Sequence, residues 1–227
     1  MSQSAILTLA KRKPIIRVQD VQRSLSCSRA YASLVLHRAA KSRALERVGR
    51  NAYTSCSDPL VVATNIITPS YLSFWSASSY LGYTEQMPQI IHVAAPVPKA
   101  PLSFIGQNIR FISLQQMFGY RKLQTEQGSI FVATPEKLAI DAFLRPREMG
   151  NFEEIRAVFA GADFSLGRMK DYLTQTNVQS VTKRVGYMLE QEKGVDMSAA
   201  FHLDRNYISL NPFSRGTKPS RKWRVLI

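Results

Sequence analysis

Arg29 and Ser33 stand one helical turn apart in a stretch whose side chains have the chemistry to contact nucleic acid. An arginine can donate two parallel hydrogen bonds to the edge of a guanine, and a serine hydroxyl can bond to several bases. Basic side chains nearby can contact phosphate groups, because neutralising a phosphate releases counterions. The candidate contact residues are Ser28, Arg29, Tyr31, Ser33, His37, Arg38, Lys41, Arg43, Arg47 and Arg50.

A helix that starts after Ser28 must position most of these side chains. Ser28 has the short hydroxyl side chain that accepts a hydrogen bond at a helix N-cap, so we predict a helix from there to about Ser42. Apolar residues at spacings of three and four predict its buried face. That face is formed by Ala32, Val35, Leu36 and Ala39.

The two ends of this helix have different expected roles. Arg29 and Ser33 lie at the N-terminal end, which a recognition helix presents to base edges in a major groove. We expect Tyr31 to flank them. Leu34 points outward, and the pattern leaves open whether it touches a thymine methyl group, a dimer partner or nothing. Phosphate contacts are expected from His37, Arg38 and Lys41.

The segments around this helix complete a recognisable order of elements. Two shorter helices, "SQSAILTLAKR" and "QDVQRSL", precede it and flank the β-prone step "IIRV". The strands "ALERV" and "NAYT" follow it, and we expect Gly49 to supply the positive φ of the turn between them. This order predicts a winged helix-turn-helix, with Arg47 and Arg50 in the wing. The turn "SCS" needs small residues because the two helices cross closely, and Cys27 fills a partly buried slot there.

The charge distribution agrees with a polyanionic partner. The 227 residues have a formal net charge of +14 and a pI of about 10.1. Eleven basic and two acidic residues in positions 1–57 give that segment +9. Such an excess favours nucleic acid as the partner over a merely well-solvated basic surface.

The composition changes after Tyr53, and "SCSDP", residues 55–59, is interpreted as a linker. We predict an α+β protein: a winged helix-turn-helix over 1–57, a mixed α/β domain with a small sheet and several helices over 58–203, and a basic tail over 204–227 that packs on it. A helix is expected to begin at Thr68-Pro69. Trp223, Val225 and Ile227 alternate as in a strand, which favours an edge strand in the tail.

Four segments of the chain resemble one known family. They are "SRAYASLVLHRAAKSRALERVGRNAYT", "DPLVVATNIITPSYLSFWSASSYLGYTEQMP", "IRFISL…FGYRK…GSIFVATPEKLAIDAFLRP" and "ISLNPFSRGTKPSRKWRVLI". Together they resemble the antitoxin subunits of AbiE-type (type IV) abortive-infection toxin–antitoxin systems. One position departs from the family pattern: Arg43 stands where such recognition helices commonly end with glycine, so we expect a strained or extended turn there.

The resemblance implies a two-part function in antiviral defence. The N-terminal domain is similar to one that binds inverted repeats in its own promoter and represses the toxin–antitoxin operon, an arrangement that allows a homodimer on DNA. The C-terminal domain is similar to the part that counteracts a nucleotidyltransferase toxin. Whether the two proteins touch stays open, because neutralisation in the family is not thought to require a stable complex.

Two other hypotheses compete with this one. The first is a stand-alone winged-helix regulator whose C-terminal domain dimerises or senses a ligand. The second is a nuclease, since Glu136-Lys137 beside the strand "GSIFVAT" is similar to the acid-and-lysine pattern of some metal-dependent nucleases. That strand has no acid, so we expect no enzyme and no catalytic residue. We interpret Glu136 as a first-turn helix acid and Asp141 as a surface acid.

The remaining features predict an ordinary cytoplasmic protein. Cys27 and Cys56 form no metal motif, so we expect free thiols and no metal or other cofactor. No apolar run is long enough to span a membrane. An aromatic cluster is expected to pack in the core instead of forming a ligand pocket or base-stacking surface. Its members are Tyr71, Phe74, Trp75, Tyr80 and Tyr83.

Overall fold

Three helices and a three-stranded sheet form the winged helix-turn-helix between Ser2 and Thr54. The computed structural model describes residues 2–227. The elements are α1 (Ser2–Arg12), β1 (Ile16–Arg17), α2 (Val18–Leu25), α3 (Arg29–Lys41), β2 (Glu46–Gly49) and β3 (Ala52–Thr54). The strands are antiparallel in the order β1-β3-β2. This part of the prediction is confirmed.

One apolar core holds the three helices and the sheet together. Each of the four residues predicted to face the core from α3 is buried in it, and Cys27 packs against its edge, half-buried. The buried members are Ile6, Ile16, Val18, Val21, Ala32, Val35, Leu36, Ala39, Leu45 and Tyr53.

A six-stranded sheet and a set of helices follow. The next elements are α4 (Pro59–Asn65), β4 (Tyr71–Leu72), α5 (Phe74–Tyr80), β5 (Ile90–Ala95), β6 (Leu102–Phe104), β7 (Gln107–Ser113), β8 (Tyr120–Thr125) and β9 (Gly128–Ala133). The strand order is β6-β7-β5-β4-β9-β8, with β5 parallel to β7 and antiparallel to β4. The α+β class is confirmed.

The chain divides into two compact units. The N-terminal unit contains the chain up to Leu72 together with Gln89–Met117 and Lys122–Phe131, and the C-terminal unit contains Ser73–Pro88, Phe118–Arg121 and Val132–Ile227. The boundary predicted at residue 57 stays a prediction.

The segment interpreted as a linker is hydrogen-bonded within the N-terminal unit. The Gln127 carboxamide oxygen accepts hydrogen bonds from the Ser57 backbone N–H at 2.8 Å, from its hydroxyl at 2.9 Å and from the Asp58 N–H at 3.1 Å. Asp58 in turn caps α4 by accepting from the Leu60 N–H at 2.8 Å. Sequence reasoning missed α4 because its residues 61–64 are buried, so the helix lacks an amphipathic pattern.

The prediction that a helix begins at Thr68-Pro69 is wrong. Tyr71 and Leu72 form the short strand β4 and pair with Ala94 and Val93 of β5, and α5 begins only at Phe74. Pairing with an existing strand outweighs the local helix signal at this point.

Of the aromatic cluster, Tyr71 and Phe74 are fully buried, Trp75 and Tyr83 are half-buried and Tyr80 is exposed, so core packing is confirmed only in part.

Four helices dominate the C-terminal unit, in agreement with the several helices that the sequence predicts for this part of the chain. They are α6 (Pro135–Leu144), α7 (Phe152–Gly161), α8 (Leu166–Thr176) and α9 (Gln179–Lys193). The helix α6 packs against the other three and is buried on nearly all sides. Within residues 2–227, no helix combines the length and the apolar character that crossing a membrane requires.

The C-terminal tail folds into a small three-stranded sheet beside α9. Its strands are β10 (Ile208–Ser209), β11 (Pro219–Ser220) and β12 (Val225–Leu226), in the order β10-β12-β11. The prediction of an edge strand near Val225 is wrong, because β12 pairs on both sides and is the middle strand. Trp223 is 1% exposed and donates a hydrogen bond from Nε1 to Glu190 at 2.6 Å.

Gly186 leaves the space on α9 that Trp223 occupies. A Cβ at this position would lie 2.0 Å from Cζ3 of Trp223, too close for any rearrangement confined to α9. We expect Gly186→Ala to lower the free energy of unfolding by about 1–3 kcal/mol, as overpacked cores do. Thermal and urea unfolding would measure the change.

Gly167→Ala is the matched control for this prediction. Gly167 lies in α8, and a Cβ there meets no atom within 4 Å. Its replacement should leave stability unchanged or raise it slightly, because alanine favours helix. Equal unfolding free energies for the two variants would contradict the packing of Trp223 against Gly186.

Candidate nucleic-acid interface

Ser28 starts α3 and thereby sets which side chains the helix exposes. Its hydroxyl oxygen accepts a hydrogen bond from the Tyr31 backbone N–H at 3.2 Å, which is the geometry of an N-cap. The predicted cap is confirmed. Since the helix begins at Arg29, the side chain of Arg29 lies at the exposed N-terminal end of α3.

The exposed face of α3 carries most of the predicted contact residues. With 3.6 residues per turn, the centre of the face opposite the core is occupied by Ala30, Leu34, His37 and Lys41, all of which are exposed. Arg29 and half-buried Ser33 lie along one edge of this face, and Tyr31 and Arg38 lie along the other. Sequence reasoning did not single out Ala30, although its position at the centre of the face follows from the helical repeat.

Arg43 ends the helix in a conformation that favours glycine. Its φ is +60°, in the left-handed region. Its N–H bonds to the Ala40 carbonyl at 3.1 Å and the Ala44 N–H bonds to the Ala39 carbonyl at 3.0 Å, which together form a Schellman motif. The expectation of a strained turn at Arg43 is confirmed, and the turn leads directly into the wing.

The wing is a short hairpin with one correction to the sequence prediction. The positive φ of its turn, +58°, belongs to Asn51, and Gly49 lies in β2 with a negative φ. Asparagine tolerates this region better than most residues, so the turn does not depend on Gly49. Arg47 donates from Nε to the Gly49 carbonyl at 3.2 Å, whereas Arg50 is exposed at the tip.

A polar cleft of about 260 Å³ brings Arg29 and Arg50 together. Arg17 joins them, and its Nη2 is held by the Ile66 carbonyl at 2.6 Å. Three arginines and three amide side chains line this cleft, with no acidic residue among the lining groups. The lining residues are Arg17, Val18, Gln19, Gln22, Arg29, Arg50 and Asn51. Arg17 was missed by sequence reasoning, because only folding brings β1 beside the wing.

The acid nearest to this cleft in sequence is already neutralised. Asp20 accepts hydrogen bonds from the Lys13 ammonium at 2.5 Å and from the Arg17 backbone N–H at 2.9 Å. Burial alone would raise the pKa of Asp20, but these two donors outweigh burial and hold its pKa below the ordinary value. The cleft therefore keeps a net positive potential.

The two acids considered for a nuclease site are buried and form separate ion pairs, Glu136 with the exposed Arg168 and Asp141 with the buried Lys137. Glu136 is fully buried and accepts hydrogen bonds from Arg168 at 3.0 Å and from the Ser165 N–H at 2.8 Å; these donors lower its pKa although burial opposes them. Asp141 is fully buried beside Lys137 and accepts from the Ser73 hydroxyl at 2.8 Å. The interpretation of Asp141 as a surface acid is therefore wrong.

The fold and the cationic face of α3 define a winged-helix DNA-binding protein. Residues 4–55 match the family described as "Transcriptional regulator, AbiEi antitoxin", and residues 71–191 match the "AbiEi antitoxin C-terminal domain". The second match alone covers more than half of the chain, so the chain belongs to the AbiEi antitoxin family. It is a DNA-binding antitoxin and transcriptional regulator of a toxin–antitoxin system, which confirms the resemblance. No curated protein matches it.

Arg43→Gly should stabilise the protein. A left-handed conformation costs a residue with a Cβ roughly 1–2 kcal/mol, and glycine removes this cost. Glycine also loses more conformational entropy on folding, which offsets about 0.5–1 kcal/mol of the stabilisation. We therefore expect an increase of up to about 1 kcal/mol in the free energy of unfolding, measured in urea.

Arg43→Ala is the matched control, because it removes the same guanidinium group and keeps the Cβ. It should not be more stable than the parent protein. If Arg43→Gly and Arg43→Ala unfold at the same urea concentration, the backbone at this position is not a source of strain.

Proposed function

We propose that this antitoxin represses the operon that encodes it and counteracts a nucleotidyltransferase toxin. The observation that supports repression is the exposed face of α3 beside a cleft lined by Arg17, Arg29 and Arg50, with no acidic lining residue. An α-helix fits the major groove of DNA, and guanidinium groups bind phosphate and guanine edges. The protein would act in the cytoplasm, where its operator lies.

In this proposal the contact residues have two kinds of role. Arg29 and Ser33 contact base edges from one side of α3, with Tyr31 flanking them. The helix start at Ser28 presents backbone N–H groups and a hydroxyl to the DNA. The remaining side chains contact phosphates along the helix and the wing. These are His37, Arg38, Lys41, Arg43, Arg47 and Arg50.

We further propose that the protein binds an inverted repeat as a homodimer, as helix-turn-helix proteins commonly do. A single recognition helix contacts only a few base pairs, whereas two related by a twofold axis contact two half-sites separated by about one turn of DNA. A dimer that binds both half-sites at once has a much higher overall affinity than one domain on one half-site. The operator is therefore proposed to be an inverted repeat in the promoter of the toxin–antitoxin operon.

Arg29 and Arg50 should affect DNA binding differently. Arg29→Ala should weaken binding to the operator by about 1–3 kcal/mol and binding to random duplex DNA only slightly, because a base contact is lost. Arg50→Ala should weaken both about equally and lower the slope of log affinity against log salt by about 0.9, because a phosphate contact is lost. Fluorescence anisotropy at several salt concentrations would measure both.

Arg12→Ala is the control for charge alone. Arg12 is exposed at the end of α1 and does not line the cleft. Removing its side chain should change neither the preference for operator over random DNA nor the slope of log affinity against log salt appreciably. An equal loss on operator and random DNA for Arg29→Ala would show that Arg29 contacts only phosphate.

Repression and antitoxicity should separate in cells. We expect the full-length protein to restore growth to cells that express the cognate nucleotidyltransferase and to silence a reporter driven by the operon promoter. A variant with both Arg29→Ala and Arg50→Ala should lose silencing and keep rescue, because neither residue lies in the segment that matches the antitoxin domain.

Two outcomes would contradict this division. Failure of the parent protein to rescue growth would contradict the proposed toxin class, whatever happens to the reporter. Loss of rescue in a stably expressed double variant would show that antitoxicity depends on DNA binding.

A further inference from the structure

A surface depression in the C-terminal unit carries two arginines that form no ion pair with a carboxylate among the described residues 2–227. It has a volume of about 520 Å³ and lies where the tail passes α9. Its polar and aromatic lining comes from Arg184 on α9 and from the tail residues Ser209, Asn211, Phe213, Ser214 and Arg215. None of these residues belongs to the candidate DNA-binding face of the N-terminal unit.

Arg184 is held in place but its charge is not neutralised. Its Nε donates to the Ser209 carbonyl at 2.9 Å, and its guanidinium carbon lies 5.9 Å from the centre of the Phe143 ring. Throughout residues 2–227 no carboxylate forms an ion pair with it. Burial lowers the pKa of Arg184, which reflects the cost of holding a cation away from water. A bound anion would offset that cost.

The neighbouring acids are already paired with other cations. Lys183, the residue before Arg184, contacts Asp204 at 2.5 Å and the Asn206 carbonyl at 2.6 Å. Lys222 contacts Glu190 at 2.8 Å and Asp196 at 2.7 Å. The carboxylates near α9 and the tail are therefore engaged elsewhere, and the positive charge of Arg184 and Arg215 faces the depression.

The tail backbone that carries Arg215 is fixed by local contacts. Asn211 accepts a hydrogen bond from the Phe213 N–H at 2.9 Å, and the Ser209 hydroxyl accepts one from the Gly216 N–H at 3.2 Å. A Cβ on Gly216 would lie 2.1 Å from the Leu226 carbonyl oxygen, so the chain passes β12 as closely as glycine allows. Arg215 is thus placed at the rim on a constrained turn.

Phe213 adds an aromatic surface to this cationic site. Its side chain is 44% exposed, although a phenylalanine gains free energy by burial. An exposed ring beside arginines is the combination with which proteins stack a base while they bind its phosphate. The serine hydroxyls of the depression can donate further hydrogen bonds to phosphate oxygens.

We infer that this depression binds a nucleotide, with Arg184 and Arg215 on the phosphate and Phe213 stacked on the base. Guanidinium groups bind phosphate through two parallel hydrogen bonds, and Arg184 retains its terminal N–H groups for this purpose. The nucleotide can come from a free nucleoside triphosphate or from a DNA strand, since the recognised chemistry is the same.

The test uses the full-length protein, ATP, inorganic phosphate and a short single-stranded oligonucleotide, whose bases are free to stack, at about 150 mM salt. We expect Arg215→Ala to weaken binding of ATP or of the oligonucleotide about tenfold or more, the loss expected for hydrogen bonds between charged groups. Phe213→Ala should weaken ATP binding about fivefold or more and leave phosphate binding unchanged, because only the base stacks. Calorimetry would measure ATP and phosphate, and anisotropy would measure the oligonucleotide.

Arg205→Ala is the matched control. Arg205 is an exposed arginine of the same tail that does not line the depression, so its loss should change each affinity less than twofold. Unfolding temperatures equal to that of the parent would show that the exposed-site variants remain folded.

Each outcome decides the inference. Saturable ATP binding that is sensitive to Arg215→Ala identifies a free nucleotide as the source. Binding of the single-stranded oligonucleotide that is weakened by Arg215→Ala, without ATP binding, identifies a DNA strand. The inference is overturned if Arg215→Ala affects neither ligand, or if Arg205→Ala has an equal effect, since the attraction would then be unspecific charge.

Discussion

The burial of one face of α3 is the constraint on which the N-terminal unit depends. Ala32 and Ala39 contribute small side chains to that face, so the helix can approach the core closely. Turning this face inward exposes the opposite one, with His37 and Lys41 near its centre. The cap at Ser28 and the left-handed residue Arg43 then determine where the exposed helix starts and where the chain turns into the wing.

The distribution of acids complements this arrangement. Asp20 pairs with Lys13, and Asp204 in the tail pairs with Lys183. Because lysines engage these carboxylates, the arginines of the polar cleft and of the surface depression keep their charge available to a ligand. Exposed unpaired cations raise the local concentration of anions, which suits an antitoxin that must find DNA.

A fully buried ion pair lies inside the C-terminal unit. Lys137 and Asp141 are both fully buried one turn apart on α6, and the Lys137 ammonium also lies 4.9 Å from the centre of the Phe118 ring. Removing one partner of such a pair leaves an uncompensated charge in the core. We interpret these groups as structural, which is why residues that resemble a nuclease pattern in sequence occupy the interior of a regulatory protein.

The sequence by itself determined the elements whose patterns are local. The cap at Ser28 and the apolar stripe of α3 each depend on residues a few positions apart, and each was predicted correctly. The class of protein followed from the order of these elements and from the excess of basic residues.

Only the tertiary structure decided the features that join distant parts of the chain. It placed Arg17 in the cleft with Arg29 and Arg50, paired Tyr71 with Ala94 in a strand, and buried Asp141 with Lys137. No local pattern encodes these, because strand pairing and burial depend on which segments meet in space. Charged residues have the same helical spacing whether they face water or a partner in the core, so the sequence could not tell a surface acid from a buried ion pair.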